Sequence, residues 1–259
     1  MAGKDIATKL MTGLLAIPGA KVDRQEFLES VLSPYVKDKE KIKNLENVKP
    51  WSIVSHEALD KIAEERVSSR KKFVTTASFA AGLPGGLGLL GAIPADFLQY
   101  NYQLLVLSQE LAYLYGFPEF YDEKGNATEV TVQALIVMFF GIQTAVGNAG
   151  REGAEQLIKM LAKGAPKRIA NMKWGNTFLF KAIQGIAKWL GVKGGQSIGR
   201  KEIGAAVGKA IPVVGGFVSA GFSYLTFTLD SKRYVKFLRE HKTLFMEGDE
   251  HRDDENQDS

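Results

Sequence analysis

Four side chains in one stretch of the sequence could take part in acid/base chemistry. Asp96 is followed by Tyr100, Tyr113 and Tyr115, and a carboxyl group beside phenols can transfer protons when the groups line a common pocket. Such a pocket also needs a paired base or nucleophile, and the sequence places none beside these residues. A role as a helix cap would by itself account for the acidic side chain of Asp96. The sequence therefore favours a cap, with a pocket around the four residues as the alternative.

A second group has metal-ligand chemistry at helical spacing. His56, Asp60 and Glu64 fall at i, i+4 and i+8 and would share one side of a helix. No second histidine is near them, because the other two are His241 and His251, and the chain has no cysteine. We therefore interpret the series as a solvated helix face and expect no metal and no cofactor.

The glycine-rich motif of this sequence lacks the surroundings of a dinucleotide-binding site. Residues 86–91 match G-x-G-x-x-G, but a dinucleotide site needs a strand before that motif and a helix opening at its last glycine. Pro94 and the helical context argue against both. The sequence also lacks G-x-x-x-x-G-K-S/T and H-E-x-x-H. We predict no catalytic residues and favour a non-enzymatic protein.

The segment that leads into Asp96 has the composition of an apolar hairpin. From Phe73 to Ala95, 23 residues carry no charge, which is long enough to raise the question of a membrane span. Glycine and proline interrupt the run, and they disfavour a helix interior by about 1 and 3 kcal/mol. These residues are Gly82, Pro84, Gly85, Gly86, Gly88, Gly91 and Pro94. The pattern predicts two short helical pieces joined by a turn.

A long helix is predicted to begin at Asp96 and to stop at Gly116. Asp96 and Gln99 form a capping-box-like pair, and glycine with Pro118 just beyond it is a common helix end. One face is predicted to be core and carries Tyr100, Leu104, Leu107, Leu111 and Leu114. The other side carries Gln99, Gln103, Val106, Gln109, Glu110 and Tyr113.

Residues 1–70 read as a series of short helices. Helices are predicted near 5–17 and 24–35, followed by a charged segment and a break at Pro50 and Trp51. Ser55 is predicted to cap a helix that runs to about Arg70.

Two further runs lack charge. Residues 130–150 are apolar nearly all round, which is typical of a central bundle helix or of a membrane span. Residues 210–229 have small residues four apart, which let helices approach closely in membranes and in soluble hairpins alike. We therefore predict an all-α helical bundle with Gly/Pro-rich apolar hairpins that lie either in lipid or in the protein core.

Between these runs lies a basic stretch with interfacial character. Residues 151–209 contain twelve Lys or Arg and three Glu, and within them Leu179, Ile183 and Ile186 form an apolar stripe opposite lysines. A membrane-interface helix and an ordinary amphipathic bundle helix both fit this pattern. The candidate membrane-surface residues are Lys167, Arg168, Lys173, Trp174, Lys181, Lys188 and Trp189. No nucleic-acid reading module accompanies the charge, so an anionic membrane surface is the expected partner.

Several separated motifs resemble the EcsC protein family of bacteria. They are Lys21–Leu28, Ser78–Gly86, Ile93–Asp96, Leu111–Gly116 and Lys209–Gly216, and they cover roughly residues 20–240 in order. The matching positions include Gly82, Pro84, Gly85, Gly86, Pro94, Asp96, Tyr113, Tyr115, Gly116, Pro212 and Gly215. The family is named after a gene beside an ABC transporter and has no established activity. The resemblance implies a transporter-linked role and supplies no catalytic residues.

Composition sets the domain organisation. The 259-residue chain carries +4, and because residues 247–259 carry −6, the rest carries about +10. We expect a helical extension over 1–70, an EcsC-like core over 71–240 and a disordered acidic tail over 241–259. The absence of cysteine favours the cytoplasm.

These patterns lead to one expected function and one alternative. We expect a non-enzymatic protein associated with the cytoplasmic face of the membrane, which contacts an integral membrane transporter as an accessory or regulator. The alternative is a soluble protein or enzyme that binds a lipid or hydrophobic ligand around Asp96 and the three tyrosines. The oligomeric state does not follow from the sequence.

Overall fold

The computed structural model describes residues 8, 11–37, 42, 45, 48–74, 95–122, 124–127, 132, 134–136, 155 and 227–241. Three α-helices have defined bounds: α1 spans Arg24–Leu32, α2 spans His56–Val74 and α3 spans Ala95–Leu114. Residues 11–15 and 227–241 are also helical, and 3-10 turns cover Ser33–Tyr35 and Pro50–Ser52. The described residues include no strand, so this part of the chain is all-α.

Side-chain caps begin α1 and α2. Asp23 Oδ1 accepts a hydrogen bond from the Glu26 N–H at 2.8 Å, and Ser55 Oγ accepts one from the Ala58 N–H at 3.3 Å. Each oxygen satisfies an N–H group that has no partner inside its helix. The predicted Ser55 cap is confirmed, and α2 continues one turn past its predicted end, to Val74.

The end of α3 follows the predicted glycine geometry. Gly116 has a φ of +89°, which is the left-handed conformation that L-residues avoid. Its N–H donates to the Tyr113 carbonyl at 3.0 Å, and the Phe117 N–H donates to the Ala112 carbonyl at 3.0 Å. These two bonds form a Schellman motif, which satisfies carbonyls that the helix leaves free.

α3 is the central helix and is buried on all sides, which corrects the predicted two-faced helix. The leucines of the predicted core face are buried as expected. The opposite side is buried as well, with Gln99, Gln103, Val106, Gln109, Glu110 and Tyr113 each no more than 7% exposed. The polar side chains of this helix therefore bind neighbouring segments instead of water.

α2 runs antiparallel to α3. At one end, the Gln99 side chain donates to the backbone carbonyl of Phe73. At the other end, the Tyr115 hydroxyl donates to Asp60 Oδ1 at 2.8 Å. Contacts at both ends hold the two helices along their full lengths.

The helix 227–241 runs parallel to α3. Tyr100, near the start of α3, donates its hydroxyl proton to Asp230. Beyond the end of α3, the Tyr115 hydroxyl lies 3.3 Å from Arg239 Nε. Asp230 and the start of α3 therefore lie at the same end of the described bundle.

One hydrophobic core joins the described parts of the chain. Its buried members come from residues 11–74, 104–136 and 227–238. The expected boundary at residue 70 does not separate two cores, because the apolar faces of α1 and α2 pack against α3. Leu135 and Ile136, from the second uncharged run, are 1% and 0% exposed and belong to the same core.

The three uncharged runs are described only at their edges. Residues 75–94, 137–150 and 210–226 lie outside the described residues, and so do the expected hairpins and the acidic tail. Within the described ranges, no helix combines the length and the apolar character that crossing a bilayer requires.

Candidate functional site

The structure separates the tyrosines that the alternative interpretation placed in one pocket. Tyr100 and Tyr113 lie thirteen residues apart on α3, which is about 20 Å along its axis. Their hydroxyls bind different carboxylates: Tyr100 donates to Asp230, and Tyr113 donates to Glu119 Oε1 at 2.6 Å. Asp96 lies in the first turn of α3, one residue after its start, and its side chain is outside the described residues.

Glu119 organises the turn after α3. Its Oε1 accepts bonds from the Tyr113 hydroxyl and from the Phe120 N–H, the latter at 2.7 Å, and its Oε2 accepts the Arg24 N–H at 2.9 Å. Burial raises the pKa of Tyr113 well above its usual value, and the charge of Glu119 raises it further. The phenol therefore stays protonated at neutral pH and acts as a hydrogen-bond donor.

Tyr115 belongs to an ion-pair cluster that includes Asp60 and Glu64, two of the three residues with metal-ligand chemistry at helical spacing. Arg239 Nε donates to Asp60 Oδ1 at 2.9 Å, and Arg239 Nη2 lies 3.4 Å from Glu64 Oε1. The guanidinium therefore provides the positive charge that these two carboxylates face. Burial is the main cause that raises the pKa of Tyr115. The described residues contain no group of three side chains that could hold a metal ion.

Glu110 links α3 to α2 through two arginines. The carboxylate is almost fully buried, with Arg66 Nη2 2.7 Å from Oε1 and Arg66 Nε 3.2 Å from Oε2. Arg70 also binds both oxygens. Paired charge-assisted bonds of this kind offset the cost of burying a carboxylate. The group is thus engaged in holding two helices together.

Gln109 attaches the segment before α1. Its Nε2 donates to the Ala20 carbonyl at 2.9 Å, and its Oε1 accepts bonds from the Val22 N–H at 3.3 Å and from the Tyr121 hydroxyl. The amide is fully buried. A polar side chain in the centre of α3 therefore fixes two segments that are distant in sequence.

Arg24 was not singled out from the sequence, yet it lies at a junction of three segments. Its side chain is buried, with Nε 2.9 Å from the Phe117 carbonyl and Nη2 2.9 Å from the Val48 carbonyl. Nη1 donates to the Leu45 carbonyl. The guanidinium thus ties α1 to the chain before α2 and to the turn after α3.

The buried tyrosines are expected to lower the free energy of unfolding in alkali. Burial raises the pKa of Tyr113, Tyr115, Tyr121 and Tyr234 above the usual value of 10. Above about pH 10 the unfolded chain loses these protons and the native protein keeps them, so stability falls as pH rises. Each such tyrosine should lower the free energy of unfolding by up to about 1.4 kcal/mol per pH unit.

Urea unfolding between pH 8 and pH 11 measures this slope. Tyr234→Phe is the control, because its hydroxyl is buried beside the Ser108 side chain. The variant should keep its stability at pH 8 and show a shallower fall above pH 10. A stability that does not change over this range would contradict the prediction.

The end of α2 and the first described turn of the helix 227–241 both contact the start of α3. The side chain of Gln99 binds the carbonyl of Phe73 at the end of α2, and Tyr100 binds Asp230 in the helix 227–241. The rings of Tyr100 and Phe227 also meet edge to face, with centroids 5.8 Å apart. These contacts fix the three segments relative to one another.

Two of the three uncharged runs are connected in sequence to the segments that meet here. Residues 73–95 connect the end of α2 to the start of α3, and residues 210–229 lead into the helix 227–241. Among the described residues, the exposed large apolar side chains are Phe73, at 52%, and Leu229, at 47%. We call this part of the bundle, with Phe73, Tyr100, Phe227 and Leu229, the apolar end.

Comparison with protein-family models, curated proteins and solved structures finds no match to this chain. The resemblance to the EcsC family stays a prediction. Of its motif positions, Tyr113, Tyr115 and Gly116 have the contacts given above. Asp96 is placed on α3 without its side chain, and outside the described residues lie Gly82, Pro84, Gly85, Gly86, Pro94, Pro212 and Gly215.

The candidate membrane-surface residues have no described positions. Lys167, Arg168, Lys173, Trp174, Lys181, Lys188 and Trp189 all fall within residues 156–226, which lie outside the described part. Residues 195–199 in the same range match G-x-S-x-G. That motif acts as a nucleophile elbow only on a strand-to-helix turn, so the match alone carries no argument for a hydrolase.

Proposed function

We propose that this protein is a non-enzymatic helical protein at the cytoplasmic face of a bacterial membrane, where it acts as an accessory or regulator of an ABC-type transport or secretion system. The observation that carries this proposal is the apolar end. There, the end of α2 and the start of α3 meet the first described turn of the helix 227–241, two uncharged runs join these elements in sequence, and two large apolar side chains are exposed. Exposed large apolar side chains beside such runs favour this end as a surface that meets lipid or protein.

Charge supports attachment to a membrane. The chain outside the acidic tail carries about +10, and residues 151–209 hold twelve basic side chains. Each basic residue near an anionic bilayer contributes about 1 kcal/mol to binding. Attachment would combine this attraction with partial insertion of an apolar hairpin.

The bonding of the acids supports a non-enzymatic role. Asp60, Glu110, Glu119 and Asp230 each bind an arginine, a tyrosine or a backbone N–H that is part of the fold. A general base or acid needs access to a substrate proton. These four carboxylates are instead committed to joining helices and turns.

The transporter-linked part of the proposal rests on the resemblance to the EcsC family. An integral membrane protein is the partner that this resemblance implies. The alternative, a soluble protein with a ligand pocket around Asp96, Tyr100, Tyr113 and Tyr115, gains no support, because the hydroxyls of Tyr100 and Tyr113 lie far apart and bind separate carboxylates.

Cell fractionation tests the proposal. The tagged protein is expected in the membrane pellet, and partial insertion predicts that it resists a high-salt wash and an alkaline carbonate wash but dissolves in detergent. Release by salt alone would indicate attachment by charge, with the apolar runs inside the protein. Recovery in the soluble fraction, together with failure of the purified protein to float with anionic vesicles at physiological salt, would refute the proposal.

A further inference from the structure

Three exposed cationic side chains lie near the apolar end. Lys72 is in the last turn of α2, and Lys232 and Arg233 are on the helix 227–241. Both sites lie beside the exposed apolar side chains, Lys72 next to Phe73 and Lys232 three residues after Leu229. The described residues thus place positive charge and apolar surface at the same end of the bundle.

We propose that the apolar end is the face that touches the membrane, and that it binds anionic phospholipid with the bundle axis directed into the bilayer surface. This inference rests on the proposed membrane association and adds the contact surface and the orientation. Phe73 and Leu229 enter the interface, and Lys72, Lys232 and Arg233 meet the phosphates.

Charge complementarity selects lipid as the occupant of this face. Lysine and arginine place their alkyl stems along apolar surface while their charged groups extend to a phosphate layer. Two acidic residues belong to this end: Asp96 lies in the first turn of α3, and Asp230 accepts a hydrogen bond from Tyr100 and pairs with Arg233 at 3.1 Å. The charge of Asp230 is therefore partly neutralised, so it opposes anionic lipid only weakly.

The sequence offers a matched pair of positions for a test. Lys61 and Lys72 are both exposed on α2, eleven residues apart. Eleven residues advance a helix by about 16 Å and return to nearly the same side of it. The two lysines therefore share one exposed side of α2 and differ in their distance from the apolar end, and Lys61 Nζ also lies 5.9 Å from the centre of the Tyr35 ring.

Labelling at single cysteines measures which end of the bundle contacts the vesicle surface. The chain contains no cysteine, so Lys72→Cys, Lys232→Cys and Lys61→Cys each give one labelling site. An environment-sensitive fluorophore at residues 72 and 232 should become brighter with vesicles of phosphatidylglycerol and phosphatidylcholine, and spin-labelled lipid should quench it. A fluorophore at residue 61 should respond to neither.

Charge removal tests the lipid class. Lys72→Gln and Lys232→Gln should each lower the partition coefficient onto these vesicles about fivefold, which corresponds to about 1 kcal/mol per basic residue. Lys61→Gln should leave it unchanged. Circular dichroism establishes that each exposed substitution leaves the helical fold intact.

The outcomes separate this inference from the proposed function. Vesicle binding with equal responses at residues 61 and 72, or with a response at residue 61 alone, would refute the contact surface and leave membrane association intact. Binding that is equally strong on pure phosphatidylcholine would refute the anionic lipid class. A response to native membranes but not to protein-free vesicles would assign the face to a protein partner. The absence of any membrane binding would refute both proposals.

Discussion

Replacing Arg24 with alanine is expected to lower the free energy of unfolding by about 3 kcal/mol or more. The substitution removes a buried guanidinium that donates to the carbonyls of Leu45, Val48 and Phe117. A buried acceptor left without a donor costs about 1–3 kcal/mol, and three carbonyls lose this donor in Arg24→Ala. Urea unfolding at pH 7 measures the loss.

Arg233→Ala is the control for Arg24→Ala. Arg233 is an arginine on a helix with a single described ion pair to Asp230, and its side chain is 54% exposed. A surface pair of this kind contributes less than about 1 kcal/mol. Arg24→Lys should fall between the two, because one ammonium group cannot reproduce the fork of donors that a guanidinium presents. Equal losses for Arg24→Ala and Arg233→Ala would contradict the assigned role.

Gly116→Ala is expected to destabilise the protein by about 3 kcal/mol for two separate reasons. The φ of +89° strains any residue with a side chain, at a cost of about 1–2 kcal/mol. A Cβ at this position would also lie 2.3 Å from two ring carbons of Trp51. Since an indole ring cannot bend, the ring or the turn must move.

Gly125→Ala separates strain from steric overlap. Gly125 has a φ of +70°, but nothing lies within 4 Å of a Cβ built there. Its substitution should cost about 1–2 kcal/mol, which is the backbone term alone. In a double-mutant cycle, Trp51→Ala should recover much of the excess loss of Gly116→Ala. Equal losses at the two glycines would show that Trp51 does not constrain the turn.

Local signals in the sequence predicted local structure correctly. The Ser55 cap, the break at Pro50 and the left-handed end at Gly116 each depend on residues within one turn of one another. The side-chain chemistry that sets such features is complete within a few residues. The same reasoning placed helices near α1, α2 and α3 with boundary errors of a few residues.

The surroundings of α3 were not predictable in this way. Its periodicity separates apolar from polar positions, but it does not reveal whether the polar side meets water or another segment. Gln109 finds its partners 87 and 89 residues earlier, and Tyr100 finds Asp230 130 residues later. These partners depend on the tertiary arrangement, so the role of the candidate tyrosines as donors to separate carboxylates could not be read from spacing.

The junction of α2 and α3 limits how far the chain between them can extend. About 20 residues join Val74 to Ala95, and the Gln99 bond to the Phe73 carbonyl holds their two attachment points together. A backbone in lipid must be helical to satisfy its own hydrogen bonds. A hairpin of two ten-residue helices would reach about 15 Å from its two attachment points. The hydrocarbon core is about 30 Å thick. A segment of this length that entered lipid as a helical hairpin would therefore stay within one leaflet.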